Sequence, residues 1–246
     1  MSNTPLIIAH RGASREAPEN TLSAFQRAKE LKADGVELDI YPCLDKILVV
    51  THDDHTHRLT GVRNRVDRMT LKDLKNLDYG THFSEKFRGE KIPTLEEVFE
   101  LLKGSMTIDV EIKGLNIVGD GREQTLVNLI RKWGMTDQIV VSSFNIFALR
   151  RMAEIAPEIR RGYLFYEKQF GPSRRGGWAF YVKPFSFNIS HALLRNGMVE
   201  RIHNRGYECW VWTVNEEADM KKFITEKADA IITDDPGKLM DILKIK

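Results

Sequence analysis

Short apolar runs alternate along the chain with longer segments whose apolar residues recur at helical spacing. Eight of the runs have strand character, and they begin near Leu6, Gly35, Met106, Gln138, Arg160, Ser186, Glu208 and Asp229. Most intervals between them suit one helix and two loops, which is typical of βα units. Eight strands with interleaved helices predict an α/β fold, the (β/α)8 TIM barrel, whereas an open doubly wound sheet usually has about five or six strands.

The intervals also show where helices begin. Helical periodicity covers residues 20–32, 120–133, 146–156, 191–205, 216–227 and 236–244. Asn20 or Thr21 is the expected N-cap of the first of these helices. Thr94 and Glu97 have the spacing of a capping box, which predicts another helix directly after Pro93.

The interval between the second and third runs is the longest. Residues Lys46–Val50 predict an extra strand, and the turn-rich segment at about 53–93 contains one short capped helix that starts at Thr70. We interpret this segment as a small insertion after the second strand, over one mouth of the barrel. The whole chain, residues 1–246, is therefore expected to form a single domain.

A second irregular stretch, residues 167–184, combines Gly and Pro with aromatic residues. It is compatible with a lid over the barrel and equally with an ordinary surface loop. The turn after the first strand lacks the GxGxxG pattern, which argues against a dinucleotide-binding site.

Two of the predicted strands carry charged side chains on one face. Because alternate strand residues share a face, Glu37 and Asp39 point the same way, and so do Asp109, Glu111 and Lys113. Both faces of a barrel strand are covered, so buried carboxylates there need a partner. Glu37, Asp39 and Glu111 predict a site for one divalent cation, Mg²⁺ or Ca²⁺. The alternative is an internal ion-pair network with Arg and Lys side chains.

Two histidines lie at strand ends beside these acids. His10 closes the first strand and precedes Arg11, while His52 follows the predicted strand at Lys46–Val50. The other histidines lie in polar or helical surroundings. Two imidazoles, one neutral and one protonated, are what acid–base cleavage of a phosphodiester requires.

Composition narrows the class of protein. Of 246 residues, 42% are hydrophobic and 29% are charged, which argues against a disordered or collagen-like chain. The net charge is only +2 with both signs interspersed, so no nucleic-acid partner is indicated. We expect neither a transmembrane segment nor an export signal. Cys43 and Cys209 are too few for a disulfide framework, and we expect a reducing, cytoplasmic location.

Several motifs resemble those of one known family. Residues 7–61, which begin IIAHRGASREAPENT, resemble the N-terminal signature of the glycerophosphodiester phosphodiesterase family. The resemblance continues through IPTLEEVFELL, VEIKG, VVSSF, ECWVWTVN and ADAIITDDP, and so covers nearly the whole chain. It implies a TIM barrel with a segment inserted after the second strand, and metal-dependent hydrolysis of glycerophosphodiesters to glycerol 3-phosphate and an alcohol.

The resemblance also implies roles for residues at the predicted site. His10 and His52 match the family's general acid and base. Glu37, Asp39 and Glu111 match its metal ligands, which agrees with the cation site expected from their shared faces.

Further matches concern the substrate. Arg11 and Lys113 match the family's phosphate-contacting cations. Phe144 and Trp212 fall where the family has aromatic residues on the glycerol side of the pocket, although either could instead pack in the core. Asp45–Lys46 stands where the family often has Asp-Gly, which makes that turn a departure from the pattern.

Other functions stay open. The same site would serve a lysophospholipase D or another lipid-headgroup phosphodiesterase, with the aromatic residues of 167–184 meeting the acyl chain. A non-catalytic barrel that binds phosphorylated ligands is a third possibility. The sequence leaves open the preferred alcohol, the physiological ion, which histidine is the acid, whether the route passes through a cyclic phosphate, and whether the chain forms a homodimer.

Overall fold

The computed structural model describes residues 4–165, 177 and 179–244. In chain order the strands are β1 (Leu6–His10), β2 (Gly35–Pro42), β3 (Leu48–Val50), β4 (Thr107–Ile112), β5 (Ile139–Ser143), β6 (Arg160–Phe165), β7 (Ser186–Ser190), β8 (Glu208–Trp212) and β9 (Ala230–Thr233). The α-helices are α1 (Leu22–Glu30), α2 (His57–Thr60), α3 (Leu71–Asn76), α4 (Leu95–Leu102), α5 (Arg122–Trp133), α6 (Ile146–Ile155), α7 (Ala179–Val182), α8 (Met198–His203), α9 (Glu217–Thr225) and α10 (Pro236–Lys244).

Eight of these strands close into a parallel barrel. Around the ring the order is β1, β2, β4, β5, β6, β7, β8 and β9, and β9 returns to pair with β1. The extra strand β3 pairs antiparallel with β2 and lies outside the ring. The closed barrel with helices between its strands confirms the fold predicted from the alternating pattern.

Polar side chains cap the starts of α1, α3 and α4, where the sequence indicates them. Thr94 Oγ1 accepts a hydrogen bond from Glu97 N at 3.2 Å, and Glu97 Oε2 accepts one from Thr94 N at 2.7 Å. This reciprocal pair is the capping box that precedes α4. Thr21 caps α1 and Thr70 caps α3.

The helix predicted over residues 191–205 is wrong in its extent. The segment instead contains a 3₁₀ turn at His191–Leu193 and the short helix α8. Between them Gly197 has a φ of 74°, in the left-handed region. A regular helix therefore cannot continue through Gly197, and α8 begins only after it.

Side chains alternate between the two faces of the barrel strands. On the outward face, residues such as Val36, Leu38 and Val110 join the main hydrophobic core with the surrounding helices. On the inward face, a separate apolar cluster is formed by Ile8, Val140, Trp210, Ala230 and Ile232. The acids of β2 and β4 have the inward parity, so they face the interior of the barrel.

The residues between β3 and α4 form a segment with a small core of its own. Cys43 and Val49 of the β2–β3 hairpin join Leu59, Val66, Met69, Leu74, Tyr79 and Ile92 in one buried cluster. At the tip of that hairpin Lys46 has a φ of 64°. Lysine therefore adopts at this turn the left-handed conformation that glycine adopts more readily.

Part of the stretch at 167–184 lies outside the described residues, namely 167–176 and 178. The remainder contains the four-residue helix α7, on which Phe180 is 73% exposed. Within the part of the chain described, no helix combines the length and the apolar composition that crossing a bilayer requires.

Candidate active site

A cavity of about 500 Å³ opens at the carboxyl ends of the barrel strands. This is the end of a TIM barrel where reactive groups are found, and the volume lies in the usual range for small-molecule sites. The cavity is lined by residues from β1, β2, β4, β5, β6, β8 and β9 and from several of the loops that follow them. Of the residues singled out from the sequence, the cavity is lined by His10, Arg11, Glu37, His52, Asp109, Glu111, Lys113, Phe144 and Trp212, whereas Asp39 is not among its lining residues.

Three carboxylates meet at this end of the barrel. Strand pairing places Asp39 directly beside Glu111, and Glu37 lies two residues earlier on the same face of β2. One carboxylate oxygen from each residue lies within 4.8 Å of the other two, and all three side chains are buried. The sequence-predicted ligand set is therefore gathered at one point.

Two cations partly neutralise this carboxylate cluster. Lys113 Nζ lies 2.9 Å from Glu111 Oε1 and 3.3 Å from Asp39 Oδ1. Arg11 Nε lies 3.4 Å from Asp39 Oδ2. Burial alone would raise the pKa of the Asp39 carboxyl, but Lys113 and Arg11 lower it well below its usual range. Burial raises the pKa of Glu111 to about 7.

Glu37 is the acid without a permanent cation. Among the described residues no Lys or Arg side chain pairs with it, and His10 Nε2 at 3.8 Å is its nearest basic group. Its Oε2 accepts a hydrogen bond from the backbone N–H of Arg11 at 3.1 Å. Burial, together with the charges of Asp39 and Glu111, raises the pKa of Glu37 well above its usual value. An all-oxygen donor set with excess negative charge fits a hard divalent cation.

His10 is held by a carboxylate that the sequence analysis did not single out. His10 Nδ1 lies 2.6 Å from Asp234 Oδ1. Asp234 also accepts hydrogen bonds from Asn215 Nδ2 at 2.6 Å and Ser14 Oγ at 3.2 Å. Although burial acts in the opposite direction, the bond to His10 and these donors lower the pKa of Asp234 to about 2. Because an ionised carboxylate only accepts, Nδ1 of His10 carries the proton and Nε2 is the atom left for the cavity.

His52 has a matching arrangement. Its Nδ1 lies 2.8 Å from Asp53 Oδ1, and Asp53 is fixed in turn by Arg58 on α2. Burial lowers the pKa of His52, while the charge of Asp39 acts against that effect. The two imidazoles thus enter the cavity from different segments, each oriented through Nδ1 by its own aspartate.

Arg11 is anchored beside the cluster by an ion pair. Its Nη1 lies 2.9 Å from Glu19 Oε1, and Glu19 is also bound by both terminal nitrogens of Arg58. Asn20, with a φ of 57°, donates from Nδ2 to Asp39 Oδ2 at 2.8 Å. The segment after β1 therefore positions both a cation and a cluster-supporting amide.

Phe144 and Trp212 both line the cavity, and Trp212 also packs against the inward apolar cluster. Their rings pack edge to face with centroids 5.6 Å apart. Trp212 Nε1 donates to the backbone carbonyl of Asn188 at 2.9 Å, which fixes the indole.

Asp234 and Asp53 are the main functional candidates that sequence reasoning missed. A signal was available for Asp234, because it directly follows the last strand at the same barrel end as His10. For Asp53, adjacency to His52 was the only hint, and adjacent residues of an extended segment usually point apart.

Comparison with known proteins gives a consistent result. The family model described as "Glycerophosphoryl diester phosphodiesterase family" matches residues 10–238. The chain is 39% identical to a glycerophosphodiester phosphodiesterase from Caldanaerobacter subterraneus subsp. tengcongensis, over 97% of this chain and 98% of that protein. It is also 29% identical to a lysophospholipase D from Mus musculus, over 96% of this chain and 85% of that protein.

A solved structure shows the same likeness. A phosphodiesterase from Oleispira antarctica, determined in complex with the product sn-glycerol-3-phosphate, superimposes with a TM-score of 0.90. The two proteins are 29% identical, and the match covers 98% of this chain and 97% of that one.

Proposed function

The chain belongs to the glycerophosphoryl diester phosphodiesterase family, and from that premise we propose how its cavity hydrolyses a glycerophosphodiester to glycerol 3-phosphate and an alcohol. The observation that carries the proposal is the buried cluster of Glu37, Asp39 and Glu111 at the barrel mouth. The complex of the Oleispira antarctica relative with sn-glycerol-3-phosphate supports this product class.

We propose that the three carboxylates hold one divalent cation, Mg²⁺ or Ca²⁺. Glu37 supports this assignment most strongly, because its buried carboxyl group has no Lys or Arg partner among the described residues. A cation held there would act as a Lewis acid toward a phosphoryl oxygen. The remaining steps belong to the side chains of the chain itself.

Arg11 and Lys113 bind the phosphodiester in this proposal. Both cationic groups border the cavity and lie beside the carboxylate cluster. The guanidinium and ammonium groups neutralise the phosphoryl oxygens and stabilise the negative charge that develops in the transition state. Arg11 also forms an ion pair with Glu19, which holds the Arg11 side chain in place.

His10 and His52 form the proposed acid–base pair. One imidazole takes a proton from the nucleophile, which is either water or the glycerol 2-hydroxyl in a route through a cyclic phosphate. The other imidazole gives a proton to the departing alkoxide, which leaves as the alcohol. Asp234 and Asp53 keep Nε2 of each ring toward the cavity by holding Nδ1.

The aromatic wall receives the glycerol moiety. Phe144 and Trp212 present an apolar surface to the cavity that the charged side chains also line. A short polyol stacked there would present its C–H edges to the rings, while its phosphate faces the cations.

A panel of glycerophosphodiesters tests this function. We expect release of glycerol 3-phosphate from glycerophosphocholine or a related diester, loss of activity after chelation, and recovery when Mg²⁺ or Ca²⁺ is restored. Full activity in exhaustively chelated protein would contradict the cation site, and no turnover of any diester with either ion would contradict the function.

One observation favours lysophospholipase D as a second candidate function. The loop after β4 carries Leu115, Ile117 and Val118, which are 81%, 63% and 89% exposed, and Leu115 also lines the cavity. Asn145 and Arg151 hold the loop by donating to the carbonyl oxygen of Asn116 at 3.0 and 3.1 Å. An acyl chain on the glycerol of a bound substrate would pass over these side chains.

Paired substrates separate the two functions. Ile117→Ser combined with Val118→Ser is expected to lower kcat/KM for lysophosphatidylcholine about tenfold, because apolar contact area is lost, and to leave glycerophosphocholine hydrolysis unchanged. Val62→Ser, at an exposed position of the insertion, is the matched control. Equal kcat/KM of the variant and wild type on the lysophospholipid would exclude this candidate.

The proposed location is the cytoplasm. Both cysteines, Cys43 and Cys209, are buried free thiols, which supports a reducing compartment. Fractionation of cells that express the protein, followed by assay of each fraction for glycerophosphodiester hydrolysis, checks the location.

A further inference from the structure

Two polar side chains lie in the barrel interior next to the proposed cation site. Asp109 on β4 is in register with Glu37 on β2, and Ser142 on β5 is in register with Glu111 on β4. Register neighbours of the same parity face the same side of a sheet, so both side chains lie beside proposed cation ligands. Both residues line the cavity, and they are 0% and 1% exposed.

One oxygen of Asp109 is held firmly from across the barrel. Asn188 on β7 donates from Nδ2 to Asp109 Oδ2 at 3.0 Å. Ser186 Oγ donates to Asn188 Oδ1 at 2.7 Å, which fixes the orientation of that amide. A Cβ atom at Gly162 would lie 2.8 Å from Asn188 Nδ2, so glycine leaves the room that this amide occupies.

The second oxygen of Asp109 is not satisfied in this way. Asp109 Oδ1 and Ser142 Oγ are buried and lie close enough to interact with each other, but neither makes a hydrogen bond of full geometry to any residue of the described ranges. A buried carboxylate oxygen and a buried hydroxyl that share only this imperfect contact cost folding free energy, and both lie next to the acidic cluster of the proposed cation site. Paired polar atoms of this kind suit a bound water, which needs two or more polar partners.

We propose that Asp109 Oδ1 and Ser142 Oγ form an outer layer of the cation site and bind water that completes the coordination of the ion. The inference rests on the proposed function, because it assumes a cation at Glu37, Asp39 and Glu111. Three protein ligands leave positions for water around Mg²⁺ or Ca²⁺. Mutation of residues that hold such outer ligands typically weakens metal affinity about 10- to 100-fold.

Asp109 and Ser142 are therefore positioning residues, and the test is cation binding rather than turnover. Titration calorimetry with Mg²⁺ and, separately, Ca²⁺ is expected to show at least about tenfold weaker binding for Asp109→Asn than for wild type. Ser142→Ala, which changes no charge, is expected to weaken binding in the same direction. The thermal midpoint of metal-free Asp109→Asn should equal or exceed that of wild type, because a buried carboxyl group that has no Lys or Arg partner among the described residues becomes a neutral amide.

Glu123→Gln is the matched control. Glu123 is a buried acid on α5, outside the barrel, and its Oε1 lies 2.7 Å from Arg151 Nη2. This variant should lower the thermal midpoint and leave cation affinity unchanged, which is the reverse of the pattern expected for Asp109→Asn.

The possible outcomes distinguish a failure of this inference from a failure of the proposed function on which it rests. Wild-type cation affinity in both Asp109→Asn and Ser142→Ala would overturn the outer layer and leave the three-carboxylate site intact. A lowered midpoint of metal-free Asp109→Asn with unchanged cation affinity would show a purely structural role and overturn the proposal. Absence of cation binding by wild type would overturn the site itself and the outer layer with it.

Discussion

The two sides of the barrel interior have the same backbone geometry and opposite chemistry. On the side of β8, β9 and β1, the inward positions include the buried apolar residues Ile8, Trp210, Ala230 and Ile232. On the side of β2 and β4, positions of the same parity hold Glu37, Asp39, Asp109 and Glu111, also buried. The strand pattern is shared, and only the side chains differ.

This difference in side chains gives the two sides different roles, the apolar side in the stability of the fold and the acidic side in function. Apolar side chains gain about 25 cal/mol for each Å² removed from water, so the β8–β9–β1 side stabilises the fold. Buried acids cost free energy unless a cation meets them, and among the described residues Lys113 and Arg11 are the only Lys and Arg side chains paired with these acids. The proposed cation would account for the acidic side.

The largest expected effect comes from neutralising the acidic side. Glu37→Gln should lower kcat/KM about 10³-fold at saturating Mg²⁺ or Ca²⁺, because metal-assisted stabilisation of the transition state is worth several kcal/mol. The thermal midpoint of the metal-free variant should not fall, since the lost carboxylate has no Lys or Arg partner among the described residues. Activity near that of wild type, or a clear loss of metal-free stability, would contradict the comparison.

The next effect concerns the imidazoles at the rim of the acidic side. His10→Ala and His52→Ala should each lower kcat about 10²-fold or more, the usual scale of general acid–base catalysis. His203→Ala is the control, because His203 forms a comparable pair with Asp229, where Nε2 lies 2.7 Å from Oδ2, before β9 at the opposite end of the barrel. Retention of near-wild-type kcat in either rim variant, with folding intact, would remove that histidine from the mechanism.

A smaller effect is expected from the carboxylate behind His10. Asp234→Asn should lower kcat about tenfold with little change in KM, because the ring loses its ionised acceptor and the preference for a proton on Nδ1. Asp229→Asn provides the matched control beside His203. An equal loss of kcat in both variants would indicate general destabilisation rather than orientation of His10.

The smallest effect tests the apolar side. Ile8→Val removes one buried methylene from β1, two residues before His10, and should lower the free energy of unfolding by about 1 kcal/mol. Urea denaturation measures that loss, and kcat/KM at a temperature where the variant is folded should equal that of wild type. A large loss of kcat/KM in the folded variant would show that the two sides of the interior are not separable.

Sequence periodicity predicts the barrel and the shared faces of the acids for a simple physical reason. Strand residues alternate with a period of two, so Glu37 and Asp39, or Asp109 and Glu111, must share a face whatever the rest of the fold does. Once the strands close into a ring, their inward side chains converge. The wrong extent of the helix at 191–205 has a local cause, because Gly197 adopts a left-handed conformation that periodicity does not reveal.

Side-chain partners across the ring are beyond such a pattern. The contact between His10 and Asp234 joins residues 224 positions apart, and Asn188 reaches Asp109 from β7. Both contacts depend on barrel closure and on rotamers. The edge-to-face pairing of Phe144 with Trp212 likewise needs the three-dimensional arrangement, since either ring alone fits a core position. The extent of the single domain over residues 1–246 stays a prediction.

Anomalous diffraction from crystals soaked in Mn²⁺, an ion that takes the same oxygen ligands as Mg²⁺, tests the central claim most directly. The account predicts one strong peak within about 2.0 to 2.6 Å of a carboxylate oxygen from each of Glu37, Asp39 and Glu111. A fully soaked crystal with no peak there, or with its only peak elsewhere, would contradict the claim that the acidic side of the barrel is built around a cation.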